Sequence, residues 1–135
     1  MNPAVEESVP AIPLIDFVRP LPGFPGLTQF ALVQVDDDGL LSELRSVEDS
    51  DLSFLVLPPG PFFPDYAPEI GDDVVEDLGV TSPDEVIPLV IVNAGDTLAT
   101  TTVNLLAPVL VNTARRTACQ VILDEDLSVR APLQA

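Results

Sequence analysis

The sequence contains no lysine and no histidine. Without lysine, the chain can build neither the phosphate-binding loop of P-loop proteins nor a Schiff base with a carbonyl substrate. Without histidine, no serine or cysteine can be paired with an imidazole base. These absences remove large classes of enzymes, and we expect neither catalytic residues nor a cofactor. The five basic residues are all arginines: Arg19, Arg45, Arg115, Arg116 and Arg130.

Cysteine and long apolar runs are also scarce. The single cysteine, Cys119, cannot form an internal disulfide or a cysteine-rich zinc cluster. It lies among strand-like apolar residues, so we expect a buried, unreactive thiol and no metal site. The N-terminal residues lack the charged and apolar segments of a secretory signal. No apolar run approaches the ~20 residues of a membrane helix, and we therefore expect a cytoplasmic protein without a membrane partner.

Acidic residues outnumber basic ones 22 to 5, which gives a formal net charge of −17. Such a surface repels phosphate backbones, so we expect no direct binding to nucleic acids. It attracts basic protein partners and speeds their encounter at low salt. A surface that is acidic only for solubility or salt adaptation would have the same composition, and charge alone does not separate the two explanations.

The remaining composition predicts one folded domain. A hydrophobic content of 47% argues against disorder, and 135 residues suffice for a single core. We assign residues 1–135 to one domain, in which the proline-rich residues 1–13 form a loose N-terminal arm. About eight short strands at roughly ten-residue spacing, with one helix and no βαβ repeat, indicate a mainly β protein, a small antiparallel β-barrel or sandwich. An Asp-Gly turn at residues 36–39 predicts a hairpin between two of these strands.

Residues 99–123 form the centre of the predicted sheet. Their content of threonine, valine and isoleucine is typical of short strands, and we predict three of them, separated by residues 106–108 and 112–117. Pro108 cannot donate a ladder hydrogen bond, so it is predicted at a strand start or a corner. Near the other end of the chain, residues 14–18 are predicted to form an edge strand.

One short acidic α-helix is predicted over about residues 66–78. Asp65 can cap it, Pro68 suits its first turn, and Gly79 suits the position after its end. An apolar stripe that recurs every four residues would face the core: Ile70, Val74 and Leu78. Beyond the cap, the other faces hold five acids and no base: Glu69, Asp72, Asp73, Glu76 and Asp77. Because these charges repel one another and the last two oppose the helix dipole, they indicate either a solvated face or a partner-binding surface.

Two further groups of residues allow both a structural and a functional interpretation. The proline-rich residues 58–64 present Phe62 and Phe63, which are predicted to fold back over the core, with a partner contact as the alternative. Asn104 and Asn112 flank the turn predicted around the central proline. Their amides are predicted to satisfy backbone groups at strand ends, with hydrogen bonds to a partner's main chain as the alternative.

Six separated phrases occur in an order that matches one known family: PLPGF (residues 20–24), LRSVED (44–49), FFPDY (62–66), TVNLLAPVLVN (102–112), QVIL (120–123) and RAPL (130–133). Each phrase is weak by itself, but together they make the chain resemble the flagellar assembly factor FliW from end to end. The resemblance implies a non-enzymatic, cytoplasmic protein with a β-barrel-like fold. It also implies two partners, which are flagellin before its export and the translational repressor CsrA, removed from the flagellin message by the freed factor.

The hypothesis for the partner-binding surface combines the helix acids with neighbouring aromatic residues and with Asn104 and Asn112. Aromatic anchors beside unpaired charge are typical of an interface. The aromatic members are Phe62, Phe63 and Tyr66. We expect the protein to be a monomer. Two alternatives stay open, namely an acidic nucleic-acid mimic that inhibits a basic RNA-binding protein, and a metal-binding enzyme built on carboxylate pairs such as residues 72–73 or Asp124 and Asp126.

Overall fold

The computed structural model describes residues 14–19, 21, 24, 26–35, 41–49, 51–82 and 85–133. This part of the chain contains eight strands and one α-helix. In chain order they are β1 (Leu14–Phe17), β2 (Gln29–Gln34), β3 (Ser42–Ser46), β4 (Ser53–Leu57), α1 (Asp72–Leu78), β5 (Val86–Asn93), β6 (Thr102–Asn112), β7 (Thr117–Gln120) and β8 (Ala131–Pro132), with a 3-10 helix at Leu98–Thr100. The predicted N-terminal arm (residues 1–13) and hairpin turn (36–39) lie outside the described residues.

Strands β1 to β7 close into a barrel. Each strand pairs antiparallel with the next one along the chain. The ring is closed by a parallel pair between β1 and β7, in which Asp16 lies opposite Thr117. β8 lies outside the ring and pairs with the start of β6. The predicted mainly β, barrel-like fold is confirmed, but the sheet is mixed, and the prediction of an edge strand is wrong because β2 and β7 flank β1.

β6 is one continuous strand through Pro108, where two strands were predicted. The proline lies in a register shift, because Leu89 of β5 pairs with Val109 whereas Ile91 pairs with Asn104. The residues between these two pairings bulge out of the ladder. A bulge is one of the few places where a sheet tolerates proline. The predicted corner is therefore present without the predicted strand break.

The bulge also reverses the direction of the side chains along β6. At the start of β6 and of its bulge, Val103 and Leu105 pack in a cluster outside the barrel. After it, Val109 and Val111 pack in the barrel interior, although all four positions are odd-numbered. Alternate side chains of a regular strand would keep to one face. Since Leu110 packs in a second outer cluster, this single strand supports the interior and both outer layers.

The barrel interior holds side chains from all seven ring strands, with Phe30 fully buried among them. One outer cluster lies beneath the proline-rich loop of residues 58–66, and we term this side of the barrel the loop face. The other lies beneath α1, where Val74 and Leu78 pack on Leu110 and Cys119, and we term it the helix face. The predicted apolar stripe and the predicted buried thiol are thus confirmed, and burial raises the pKa of Cys119.

α1 is shorter than predicted, since it begins at Asp72 and not near residue 66. Gly71 precedes the first turn in an extended conformation, and no side chain caps the helix there. Asp65 as the cap and Pro68 in the first turn are therefore wrong. The predicted end is confirmed, because Gly79 has a left-handed φ of 72°, a conformation that glycine adopts at no steric cost.

Candidate partner-binding surface

α1 is fastened to the barrel at its C-terminal end. The carbonyl oxygen of Leu78 accepts hydrogen bonds from Nδ2 of Asn112 at 2.9 Å and from Oγ1 of Thr117 at 2.8 Å. Oδ1 of Asn112 accepts hydrogen bonds from the N–H groups of Ala114 and Arg115, at 3.0 and 3.2 Å. The Asn112 side chain is fully buried. Its amide therefore fixes the position of the helix and is not itself presented at the surface.

Asn104 has a similar structural role in the bulge of β6. Its Oδ1 accepts hydrogen bonds from the N–H groups of Leu106 and Ala107, at 3.0 and 3.1 Å. The side-chain amide of Gln120 donates to the Ala107 carbonyl at 3.1 Å from the neighbouring strand. The interpretation that both asparagine amides satisfy backbone groups is confirmed. Asn104 is only half-buried, and a further contact with a partner stays a prediction for it.

The acids of α1 are not all unpaired. A guanidinium nitrogen of Arg19, just after β1, lies 2.7 Å from Oδ2 of Asp77 and 3.1 Å from Oδ2 of Asp73. Hydrogen bonding to Arg19 lowers the pKa of Asp73, and hydrogen bonds to Asp77 and Asp73 raise the pKa of Arg19. The expectation of unpaired charge along the whole helix is therefore wrong for this pair. The compensating base comes from a different part of the chain.

Asp72 and Glu76 form the second acidic pair of α1. Both are exposed, and neither forms an ion pair with a basic side chain in the described ranges. They lie four residues apart, so their side chains are neighbours on one surface of the helix. Glu69 precedes the helix, and its backbone N–H faces Oε2 of Glu125 at 3.4 Å. This part of the surface therefore concentrates carboxylates without an internal counter-charge.

An apolar groove of about 390 Å³ opens between α1 and the start of β5. Val75 and Val80 line it from the helix side, and Val86 and Pro88 line it from β5. The fully buried Leu110 of β6 lies at its base. The lining is completed by Pro68, Ile70, Thr81 and Ser82. The groove thus joins the segment before α1, the helix itself and the barrel wall.

A carboxylate within the fold orders the segment that follows α1. Oε1 of Glu85 accepts hydrogen bonds from the N–H and the hydroxyl of Thr81, at 2.8 and 3.1 Å. It also accepts the N–H of Ser82 at 3.3 Å. These hydrogen bonds, above all the one from the Thr81 N–H, lower the pKa of Glu85. Glu85 therefore holds Thr81 and Ser82 of the groove lining in place. Its carboxylate accepts hydrogen bonds within the fold.

The aromatic residues of the hypothesis lie on the loop face. Phe62 and Phe63 are half-buried and pack against its cluster, so the predicted fold-back over the core is confirmed. The hydroxyl of Tyr66 donates to the carbonyl of Leu105 at 2.6 Å. Burial, with a smaller effect of Glu125, raises the pKa of Tyr66 to about 12. Its hydroxyl therefore stays protonated and serves the fold.

The structure thus separates the predicted surface into two parts. The helix acids lie above the helix-face cluster, whereas the aromatic rings belong to the loop-face cluster. Residues 67–71 connect them along the chain. A shallow depression lined by Glu69, Asp124 and Glu125 lies along this connection. The described residues contain no group of three or more carboxylate, thiol or imidazole side chains placed to hold a metal ion.

A family model described as FliW protein matches residues 4–133. The chain belongs to the FliW family. One curated relative, the flagellar assembly factor FliW of Clostridioides difficile, is 32% identical over 112 residues, which cover 82% of this chain and 86% of the relative. The FliW of Symbiobacterium thermophilum is 35% identical over 122 residues, which cover 89% and 88%. A crystal structure of the flagellar assembly factor FliW is 29% identical, with a TM-score of 0.82 over 95% of this chain and 86% of that one.

The resemblance read from the six phrases is therefore confirmed, but two features of this FliW-family surface were missed by sequence reasoning. Arg19 gave no local signal, because its partners lie 54 and 58 residues further along the chain. The groove had a weak signal, since Val75 and Val80 are apolar residues outside the predicted stripe. Across the described part of the chain, no helix is long and apolar enough to span a membrane.

Proposed function

We propose that this FliW-family chain is a non-enzymatic flagellar assembly factor that binds flagellin and a CsrA-type translational repressor. It acts as a monomer in the cytoplasm, without a cofactor and without direct contact with nucleic acid. Export of flagellin frees it to take the repressor off the flagellin message, so that synthesis follows secretion. The proposal is supported by relatives with 32% and 35% identity that are described as flagellar assembly factors.

The observation that carries the proposal is uncompensated acidic charge beside an apolar groove on the helix face. Asp72 and Glu76 are exposed and have no ion-pair partner among the residues described. A basic protein would be attracted to them, most strongly at low ionic strength. The groove would supply the apolar centre that protein interfaces combine with a charged rim. An RNA-binding repressor has the required basic character because it must meet phosphate.

The residues of the proposed surface have unequal roles. Asp72, Glu76 and Glu69 present charge to a partner. Asp73 and Asp77 contribute less, because Arg19 already pairs with them. Half-buried aromatic rings extend the surface toward the loop face: Phe62, Phe63 and Tyr66. Tyr66 contributes its ring only, since its hydroxyl is bonded within the fold.

Isothermal titration calorimetry with the CsrA-type repressor and the flagellin of the same organism tests the proposal. We expect both proteins to bind, and we expect the affinity for the repressor to fall steeply between low and moderate salt as the charges are screened. Absence of binding to both proteins at low salt would refute the proposal. Turnover of a small molecule by the purified protein would refute its non-enzymatic part.

A competition experiment separates this mechanism from nucleic-acid mimicry. A mimic would occupy the RNA site of the repressor, so no complex of chain, repressor and RNA could form. We expect such a ternary complex, at least transiently. Arg19 already pairs with two of the four acids of α1. The two acids that remain are too few to imitate a row of phosphates. Strict competition with RNA at every concentration would favour mimicry.

A further inference from the structure

We propose that residues 67–77, which we term the helix flap, detach from the barrel while the barrel stays folded, and that the ion pair of Arg19 holds the flap closed. In the open state, the outer surfaces of β6 and β7 beneath α1 are exposed to solvent. This inference concerns the chain alone and is independent of the proposed partners. Three observations carry it: the short length of α1, the positions at which the flap is fastened and the charge along it.

α1 is too short to be stable by itself. It has seven residues, and no side chain caps its first turn. Isolated helices shorter than about 12–15 residues are marginal in water, so α1 depends on its contacts with the barrel. Within the helix flap Val74 alone is buried, and Ile70 packs half-buried beside it. Because so little apolar surface fastens the flap, its opening should require much less free energy than global unfolding.

The helix flap lies between two fixed points. Before it, the hydroxyl of Tyr66 donates a hydrogen bond to the carbonyl of Leu105 at 2.6 Å. After it, the carbonyl of the buried Leu78 accepts hydrogen bonds from Asn112 at 2.9 Å and from Thr117 at 2.8 Å. Both ends can therefore stay attached to the barrel while the chain between them moves.

Arg19 fastens the helix flap along one side. Its guanidinium group lies 2.7 Å from Asp77 and 3.1 Å from Asp73. Val75, which lines the groove, lies about 200° around the helix from Asp73, so the ion pair is on the side of α1 that faces away from the groove. Burial raises the pKa of Cys119, and the charges of Arg19, Asp77 and Asp73 also act on this thiol. The ion pair therefore closes the edge of the flap beside Cys119.

The charge of the helix flap favours its opening. The flap contains five acids and no base. One of them, Glu69, lines a shallow depression together with Asp124 and Glu125, which follow β7. These like charges repel one another across the boundary of the flap. In the described part of the chain, Arg19 is the one basic side chain that forms an ion pair with the flap, so its removal should leave this repulsion unopposed.

The thiol of Cys119 can report the opening, because it is the single cysteine of the chain and is fully buried in the cluster beneath α1. Its rate of reaction with the uncharged reagent 4,4′-dithiodipyridine is measured in rising urea and compared with that of the unfolded protein. A local opening exposes little surface and depends weakly on urea, whereas global unfolding depends steeply on it. R19Q removes the ion pair of the flap. R45Q is the matched control, because it removes the ion pair of Arg45 with Glu43 on β3.

We expect the wild type to react by the route that depends weakly on urea, and R19Q to react about threefold faster, as for the loss of exposed ion pairs. R45Q should react at the wild-type rate. High salt should slow the reaction of R19Q, because it screens the remaining like charges. Hydrogen exchange of the Val75 amide, which bonds to the Gly71 carbonyl, should be faster in R19Q as well. This second measurement separates opening of the flap from an effect of Arg19 on the thiol alone.

Two results would overturn the inference. If Cys119 and the Val75 amide react only through the steeply urea-dependent route, the helix flap does not open apart from the barrel. If R19Q and R45Q react at equal rates at low salt, the ion pair of Arg19 does not hold the flap closed.

Discussion

The loop face and the helix face cover the same barrel in different ways. On the loop face, Phe62 and Phe63 fold onto the outer cluster, and the hydroxyl of Tyr66 is bonded to a backbone carbonyl. On the helix face, α1 leaves an apolar groove beside it and two exposed carboxylates above it without internal partners. The loop face uses its tyrosine hydroxyl within the fold and keeps an apolar cavity of about 410 Å³ lined by Leu57, Phe62 and Val92. The helix face has a groove of about 390 Å³ with two exposed carboxylates on the adjacent helix.

Strand β6 contributes buried side chains to the clusters of both faces. The first half of β6 directs Val103 and Leu105 to the loop face, and after the bulge Leu110 packs on the helix face. Two asparagines of this strand also anchor backbone, Asn104 beside the bulge and Asn112 under α1. The difference between the faces therefore lies in what covers them, and substitutions can alter one cover at a time.

The largest expected effect separates the two anchors. N112A should lower the free energy of unfolding by about 3 kcal/mol, because it removes one of the two hydrogen bonds to the Leu78 carbonyl and those from Ala114 and Arg115, and opens a cavity at a fully buried site. N104A should cost only about 1 kcal/mol, since its half-buried site lets water replace the lost hydrogen bonds. Urea unfolding measures both values. Equal losses would contradict the idea that the helix face depends on a single buried anchor.

A smaller effect tests whether the loop face uses its tyrosine hydroxyl within the fold. Y66F removes the hydrogen bond to the Leu105 carbonyl and should lower the free energy of unfolding by about 1 kcal/mol. The affinity for the repressor should stay unchanged, because the hydroxyl is not available to a partner. A clear loss of affinity in a folded Y66F protein would place this hydroxyl in the interface and contradict the comparison.

Acid should loosen the segment after α1. The pKa of Glu85 is lowered in the folded protein, so its stabilising effect is fully present above the ordinary value of 4.5 and is lost as pH falls through the lowered value. E85Q keeps an oxygen acceptor but does not titrate. The wild type should therefore lose unfolding free energy more steeply than E85Q as pH falls below 4.5. Parallel pH curves for the two proteins would show that this carboxylate does not hold the groove lining.

The smallest expected effect concerns the ion pair on the far side of α1. R19Q should change thermal stability only slightly, because all three side chains are partly exposed to solvent. It frees Asp73 and Asp77, so the affinity for a basic partner should rise modestly at low salt and return to the wild-type value at high salt. A decrease at low salt would mean that Arg19 itself contacts the partner.

Local patterns predicted the parts of this molecule that local physics determines. The glycine after α1, the stripe at Val74 and Leu78 and the short strands all follow from neighbouring residues. The start of the helix was placed too early, because cap and first-turn residues are present before it but the structure keeps residues 66–71 non-helical. The tertiary hydrogen bond of Tyr66 to Leu105 ties down the beginning of that segment.

Long-range pairing was not predictable from local sequence. Closure of the barrel brings β1 beside β7 in a parallel pair, which joins segments about 100 residues apart and has no signature in either strand. The same closure brings Arg19 to Asp73 and Asp77, which changes the charge of one side of α1. For the candidate site, the sequence predicted the acids but not which of them remain uncompensated.

Methyl-resolved NMR of the protein with and without the repressor tests the central claim most directly. The methyl groups of Val75, Val80 and Val86 report on the groove. Those of Val103 and Leu105 report on the loop face. The account predicts that the largest chemical-shift changes occur at the three groove valines. Large changes confined to the loop-face methyl groups, with the groove valines unmoved in the bound state, would contradict it.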